Sequence, residues 1–273
     1  MIFLLYLALG IVAGILAGLF GVGGGLIIVP VLIYSFTLQG VDPGVMTHLA
    51  VGTSLATIVF TSINSIYGHH QKGATRWPLV GWMSIGIVVG CALGALTASW
   101  IPGNDLQMVI GVFAIAMSIQ IAFNLRPKGG GSDYRPPGRP WLIGGGTIIG
   151  WASAIFGIGG GSLTVPFLLW RNLPAQQAVG TSAACGLPIA IAGALSFMWF
   201  GHGHTDLPPW SIGYVYLPGM LGIALTSMVS ARLGVRLAHR LSPTLLKRLF
   251  AALLLVIGIN FLLQGVPHSL NHG

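Results

Sequence analysis

The chain has 273 residues, of which 54% are hydrophobic and only 6% are charged, with a mean hydropathy of +0.87. Soluble domains carry about 25% charged residues, so this composition excludes a soluble globular protein and predicts a multi-pass membrane protein. The net charge of +8 is expected to orient the chain in the bilayer rather than to bind nucleic acid. Glutamate is absent, and the four aspartates lie between apolar runs, which argues against a carboxylate proton relay in the membrane.

Apolar runs long enough to enter a bilayer follow one another along the chain. They cover residues 2–38, 45–68, 78–100, 105–125, 141–170, 175–200, 211–235 and 244–264. The segment 126–140 is rich in basic residues, glycine and proline, which is typical of a linker. We therefore predict an N-terminal repeat (1–125), a basic cytoplasmic linker (126–140) and a C-terminal repeat (141–273) within one membrane domain.

A glycine-rich stretch occurs once in each predicted repeat. Residues 20–25 (Phe-Gly-Val-Gly-Gly-Gly) precede Pro30, and residues 156–161 (Phe-Gly-Ile-Gly-Gly-Gly) precede Pro166 at the same spacing. Each glycine weakens a helix by about 1 kcal/mol relative to alanine, so each cluster predicts a break in a membrane helix. Broken backbone at membrane depth is tolerated only where it is buried in protein or lines a cavity. The two clusters therefore predict two halves of one site.

The repeats match beyond the glycines, because residues 51–54 and 179–182 both read Val-Gly-Thr-Ser. Lys72 and Arg76 follow the second apolar run, whereas the equivalent loop of the second repeat, 201–210, has no lysine or arginine. The next pair of loops shows the opposite bias, with basic residues collected in 232–248. Under the positive-inside rule, equivalent loops then lie on opposite sides of the membrane, which requires inverted repeats.

Inversion requires an odd number of full spans in each repeat, so each glycine-containing run must enter and leave on one side. The run 141–170 is too short for two full membrane helices and too long for one. We predict an all-α polytopic membrane protein of two inverted repeats, each a broken or re-entrant helical hairpin plus three transmembrane helices. For the first run, two tilted spans remain an alternative with the same parity. Glycines every four residues, at 10, 14 and 18 and at 86, 90 and 94, predict close helix packing.

The half-helices after the breaks are predicted to begin with Pro30 and Pro166 in or near their first turns, where proline removes no intrahelical bond. Each helix N-terminus behaves as roughly +0.5 charge, so two facing ones suit a small anion, whereas a dianion would need further donors or a cation. Hydroxyls at the interface of the repeats could add hydrogen bonds, unless they bond back to their own helices. The candidate substrate-binding residues are Gly21, Gly23, Gly24, Gly25, Thr53, Ser54, Asn64, Gly157, Gly159, Gly160, Gly161, Thr181 and Ser182.

Enzyme motifs are missing from the sequence: there are no paired carboxylates, no His-Glu-x-x-His and no Gly-x-Ser-x-Gly. Cys91 and Cys185 lie in apolar runs and are expected to be buried free thiols. The histidine pairs, at 69 and 70 and at 202 and 204, are interpreted as solvated loop residues, since no cysteine, glutamate or third histidine lies at ligand spacing. The sequence therefore predicts no cofactor, no catalytic residue and no metal site.

Through the paired Gly-x-Gly-Gly-Gly, the prolines that follow, the two Val-Gly-Thr-Ser segments and the basic stretch 232–248, the chain resembles the sulfite exporter TauE/SafE family of bacterial membrane proteins. The resemblance covers nearly the whole chain. It implies a secondary transporter of the bacterial plasma (inner) membrane that exports sulfite or an organosulfonate such as sulfoacetate. Our hypothesis is alternating access, in which one repeat rocks against the other around an anion between the breaks.

Two rival functions remain open at this point: a passive anion channel, and a metal-ion carrier that uses the loop histidines. The expected partners are a small inorganic or organic sulfur anion and the lipid bilayer, with no nucleic acid. The individual anion, the coupling ion, the direction of transport and the formation of a homodimer are left open by the sequence.

Overall fold

The computed structural model describes residues 2–20, 24–71, 73–123, 137–238 and 242–265. Over these ranges the chain is helical except for turns and one short hairpin. The helices are α1 (Ile2–Phe20), α2 (Gly25–Leu38), α3 (Pro43–Gln71), α4 (Trp77–Trp100), α5 (Gly103–Ala122), α6 (Arg139–Phe156), α7 (Gly161–Leu169), α8 (Ala175–Phe200), α9 (Leu217–Ala238) and α10 (Pro243–Gly265). Strands β1 (Ser211–Ile212) and β2 (Val215–Tyr216) pair antiparallel just before α9.

Six of the helices in the described ranges are long and apolar enough to cross a membrane, namely α3, α4, α5, α8, α9 and α10. Helices satisfy their own backbone hydrogen bonds, which is what a bilayer requires of a spanning segment. Three such helices fall in each half of the chain, which confirms the prediction of an all-α polytopic membrane protein. The other four helices form two pairs, α1–α2 and α6–α7, each interrupted at a glycine cluster.

Both glycine-interrupted pairs are hairpins that return to the side from which they start. Gln39, just after α2, donates a hydrogen bond to the Tyr6 hydroxyl near the start of α1, at 2.6 Å. In the second hairpin, the Arg171 guanidinium, just after α7, lies 4.2 Å from the ring centre of Trp141 near the start of α6. The return helices have 14 and 9 residues. At about 1.5 Å per residue they reach about 21 and 14 Å, short of the ~30 Å of a bilayer core.

The two halves are inverted relative to each other. Thr53 of α3 accepts a hydrogen bond from the backbone N–H of Tyr216, which directly precedes α9, at 2.9 Å. Its counterpart Thr181 of α8 accepts one from the N–H of Arg76, which directly precedes α4, at 3.1 Å. The early part of each helix thus lies beside the loop that follows the other helix, so the equivalent helices α3 and α8 run antiparallel.

The halves are also interlocked by glycine-lined contacts between α1 and α9 and between α4 and α6. A Cβ on Gly14 of α1 would overlap Ser227 and Ser230 of α9, and a Cβ on Gly90 of α4 would overlap the backbone of Thr147 in α6. Only glycine permits this approach of backbones, which explains the glycines at every fourth position. The first helix of each half therefore packs against the fourth helix of the other half.

Charged side chains separate to the two ends of the bundle. The basic residues of the described chain lie where α3, α7 and α9 end and where α4, α6 and α10 begin: Arg76, Arg139, Arg171, Arg232, Arg236, Lys247 and Arg248. We call this the basic end. Asp42, Asp105 and Asp206 lie near the starts of α3 and α5 and in the loop after α8, at the opposite end, which we call the acidic end.

Candidate functional site

The two glycine breaks meet near the centre of the molecule. The first break includes Gly24, whose φ of +81° is accessible to glycine but strained for other residues. In the second break, Gly157 ends α6 in the left-handed conformation with φ of +64°. A Cβ on Gly25 would lie 2.6 Å from the Gly157 carbonyl oxygen and 2.7 Å from the Ile158 Cα, so the two breaks are in direct backbone contact.

A cavity of 510 Å³ lies beside this contact and extends from the breaks toward the basic end. Part of its wall is apolar, formed by residues such as Ile28, Ile58 and Val165. The polar side chains that line it are Thr61, Ser62, Ser65, His69, Gln120, Ser162, Ser182 and Ser227. Among the described residues of the lining there is no aspartate, glutamate, lysine or arginine. The cavity can therefore recognise a ligand mainly through hydrogen bonds and backbone dipoles.

The N-terminus of α7 forms the polar wall of this cavity. Gly159, Gly160, Gly161 and Ser162 all line it. The first α-helical bond of α7 runs from the N–H of Thr164 to the Gly160 carbonyl at 2.8 Å. Because the first amides of a helix have no acceptor within the helix, the start of α7 offers N–H groups and a partial positive charge to an anion.

Two serine hydroxyls at the same place have no hydrogen-bond partner in the described chain. Ser162, the second residue of α7, is 9% exposed, and Ser182 of α8 is 1% exposed. Buried hydroxyls normally have a partner, since leaving one unsatisfied costs about 1–3 kcal/mol. Both residues line the cavity, so a ligand there is within their reach.

Described residues at the first break also line the cavity. Gly24, which directly precedes α2, and Ile28 of α2 line the cavity, whereas Gly25 contacts Gly157. Gly21 and Gly23, also predicted as site residues, lie outside the described residues. Over the described residues both halves line the cavity, with α1, α2, α3 and α5 from the first half and α7, α8 and α9 from the second.

The prediction that the two prolines lie in or near the first turns of their helices is wrong by one turn. α2 begins at Gly25 and α7 at Gly161, so Pro30 and Pro166 are each the sixth residue of their helix. At that position proline removes an intrahelical hydrogen bond, which leaves the carbonyls of Leu26 and Ser162 without their usual i+4 donor.

The Val-Gly-Thr-Ser segments join the halves through their glycines and threonines, and the second segment also lines the cavity through Val179 and Ser182. Thr53 and Thr181 use their hydroxyls as acceptors for the loops before α9 and α4. Gly52 and Gly180 precede them because a Cβ at either position would overlap the Tyr214 or Ala74 carbonyl of the same loops. The Gly-Thr pair of each motif is thus explained by loop packing.

Ser54 and Asn64, also predicted as site residues, lie outside the cavity lining too. Ser54 donates a hydrogen bond to the Gly157 carbonyl at 2.9 Å, which ties α3 to the break of the other half. Asn64 has an exposed side chain on α3. From the predicted set, the structure brings Gly24, Gly159, Gly160, Gly161 and Ser182 together at the cavity, while Gly25 and Gly157 support it from behind.

Several cavity residues were missed by the sequence reasoning, although a signal for them exists. Thr61, Ser65 and His69 recur every four residues on α3, which places them on one face of a membrane helix. Ser162 directly follows the second glycine cluster. The polar stripe on an otherwise apolar helix would have identified the three α3 residues, and the position beside the break would have identified Ser162.

The histidines do not form one site. His69 and His70 lie in the last turn of α3 at the basic end, not in a loop as predicted, and Trp77 donates its indole N–H to His70 at 3.2 Å. His202 and His204 lie after α8 at the acidic end, where the His204 Nε2 is 2.9 Å from the Tyr214 hydroxyl. Over the described ranges no group of three or more His, Cys, Asp or Glu residues is arranged to bind a metal ion.

Buried aromatic rings pack together at the acidic end. Tyr6 of α1, Phe36 of α2 and Tyr216 of β2 form a triangle with ring centres 5.6 to 6.5 Å apart, and each is at most 5% exposed. Burial, and to a lesser degree the neighbouring Tyr6, raises the pKa of the Tyr216 hydroxyl, so this ring stays neutral at physiological pH. We call these three residues the aromatic seal.

Comparison with known proteins agrees with this architecture. A family model described as "Sulfite exporter TauE/SafE" matches residues 6–261. A protein of Haemophilus influenzae named as a probable membrane transporter is 36% identical over 96% of this chain and 98% of its own length. A protein of Methanocaldococcus jannaschii with the same description is 32% identical over 95% of both chains, and YunE of Bacillus subtilis, another probable membrane transporter, is 25% identical over 97% of this chain and 99% of its own.

Proposed function

Because the chain belongs to the TauE/SafE family, and is thus a membrane transporter rather than an enzyme, we propose that it is a secondary transporter of a small sulfur oxyanion. The proposed substrate is sulfite or an organosulfonate, and the proposed direction is export across the bacterial plasma membrane. The observation that carries the proposal is the cavity between the halves, where the start of α7 and two hydroxyls without a partner in the described chain face a space whose described lining has no charged side chain. Such a site suits a small anion.

The orientation follows from the charges. Under the positive-inside rule, the basic end faces the cytoplasm and the acidic end faces outward. The cavity reaches His69 and Gln120, which lie near the ends of α3 and α5 at the basic end, while the aromatic seal lies at the other end. In the proposed cycle this arrangement is the state that loads an anion from the cytoplasm.

Alternating access then requires the aromatic seal to open while the cytoplasmic side closes. Inverted halves supply two arrangements of similar energy, one open to each side. The glycine-lined contacts of α1 with α9 and of α4 with α6 limit this motion, because closely packed helix backbones do not slide past each other easily. We propose that α1 moves with α9 and α6 with α4, so that the moving units differ from the two sequence repeats.

The rivals make different predictions. A passive channel needs a continuous path, whereas we propose that the buried rings of the aromatic seal close the acidic end. A metal carrier based on the four histidines needs them in one place, whereas they lie at opposite ends. The proposed site is built from residues of one chain, so the proposal does not require a homodimer.

Flux measurement tests the proposal. Purified protein in proteoliposomes is expected to give saturable sulfite uptake that protein-free liposomes lack. Gly160→Leu is expected to abolish it, because a Cβ there already lies 3.0 Å from the Ser182 carbonyl oxygen. Gly24→Leu should also abolish it. Gly144→Leu is the matched control, since a Cβ on this α6 glycine meets nothing within 4 Å. Full sulfite flux in both cavity variants would show that the site is elsewhere.

A further inference from the structure

We infer that Ser162, Ser182 and the first amides of α7 form a subsite for one negative charge, so that the cavity selects singly charged sulfonates over dianions such as sulfate. This inference rests on the proposed function, which supplies the anion but not its charge state. It assigns specific donors to the substrate's oxygens and predicts which anions are rejected.

The first step concerns the donors. Ser162 and Ser182 are each more than nine-tenths buried, have no partner in the described part of the chain, and both line the cavity. They come from adjacent elements, since the Cβ position of Gly160 lies 3.0 Å from the Ser182 carbonyl oxygen. Two hydroxyls and the amides at the start of α7 together match a group with several acceptor oxygens, such as a sulfonate.

The second step concerns charge. The start of α7 contributes roughly +0.5, and the start of α2, reached through Gly24, at most as much again. The described lining contains no lysine or arginine to add to this. A total near +1 balances a monoanion, whereas a dianion would leave about one negative charge uncompensated beside the buried Ser162 and Ser182, which is costly.

The third step concerns the rest of the ligand. The cavity of 510 Å³ falls in the range of sites that bind small organic molecules, and is larger than one oxyanion requires. Apolar side chains, including those of Ile28, Ile58 and Met117, also line the cavity. This combination fits a sulfonate whose charged head contacts α7 and whose organic substituent contacts the apolar wall.

Methanesulfonate and sulfate are suitable probes because both are tetrahedral and of similar size but differ by one charge. Calorimetric titration of the purified full chain is expected to show methanesulfonate binding at least tenfold tighter than sulfate. Ser162→Ala and Ser182→Ala should each weaken methanesulfonate binding about tenfold, the loss expected for one hydrogen bond to a charged group. Ser153→Ala is the control, because Ser153 is also buried and unpartnered but does not line the cavity.

Flux of sulfite measured in parallel separates the two claims. Selective methanesulfonate binding without sulfite flux would support the subsite and overturn the proposed transport function. Sulfite flux with sulfate binding as tightly as methanesulfonate would keep transport and overturn the charge selection. Equal effects of Ser162→Ala, Ser182→Ala and Ser153→Ala would overturn the assignment of the donors, and absence of both flux and binding would overturn both claims.

Discussion

Ser54 of the first half donates a hydrogen bond to the Gly157 carbonyl of the second half at 2.9 Å. Ser54 is fully buried, and Gly157 is the residue that ends α6 in the left-handed conformation. A side chain from one half thus fixes the backbone at which the other half breaks its helix. The shape of the cavity consequently depends on contacts made behind its wall.

We expect Ser54→Ala to lower both stability and transport. The lost bond should reduce stability by about 0.6 kcal/mol, and at most about 1.7 kcal/mol, the range measured for hydrogen bonds between membrane helices. Thermal unfolding in detergent, together with sulfite flux, measures both effects. Ser196→Ala is the control, since that hydroxyl donates its hydrogen bond to the Ala192 carbonyl within its own helix. Equal behaviour of the two variants would contradict a role for Ser54 at the break.

Gly24→Ala tests the backbone of the first break. At φ of +81° a side chain costs about 1–2 kcal/mol, and the added Cβ would lie 3.3 Å from the Ile28 Cδ1. Reduced thermal stability and reduced sulfite flux are expected. Gly144→Ala, at an open helical position, should change neither quantity. Unchanged stability in Gly24→Ala would mean that this backbone conformation is not required.

Accessibility of the cavity from one side can be measured with a cysteine at position 65. Ser65 lines the cavity and is exposed. In a background with Cys91→Ala and Cys185→Ala, Ser65→Cys should react with a membrane-impermeant thiol reagent in inside-out vesicles several times faster than in right-side-out vesicles. The reverse preference would place the basic end outside the cell.

Phe36→Ala should damage the aromatic seal. Phe36 is fully buried and contacts both tyrosines of the seal, so its truncation leaves a void between α2 and β2. We expect a passive, non-saturable anion leak in proteoliposomes. Phe123→Ala, which removes a ring that is 73% exposed, should leave the membrane tight. If Phe36→Ala proteoliposomes stay tight, the closure of the acidic end depends on other residues.

Chelation separates transport from metal binding. Because His69 and His70 lie at one end and His202 and His204 at the other, we expect EDTA to leave sulfite flux unchanged. The His202→Ala variant should also retain full flux. Loss of flux on chelation, restored by a divalent metal, would revive the metal-carrier alternative.

The fold was largely predictable because its determinants are local or additive. Glycine clusters weaken a helix wherever they occur, and the placement of Lys72, Arg76 and the 232–248 group sets the orientation of whole segments. These two signals were enough to predict the hairpins and the inversion. The close approach at Gly14 and Gly90 likewise follows from spacing alone.

The site was less predictable because it depends on which partner each polar group finds. Thr181 and Ser182 are neighbours in sequence, yet Thr181 accepts a bond from the Arg76 N–H while Ser182 lines the cavity without a partner. Their positions differ by one residue, or about 100° around a helix, and only the packed structure shows which face meets a loop. The proline register failed for a related reason, since helix starts are poorly defined by sequence.

The exchange of helices between the halves also constrains the order of folding. The glycine face of α1, which carries Gly10, Gly14 and Gly18, packs on α9, more than 190 residues later in the chain. During synthesis α1 enters the bilayer long before α9 has been made. Until then, the glycine face of α1 contacts lipid or other helices. The transporter therefore completes its packing late, and a ribosome that stalls before α9 leaves a first half without its main partner.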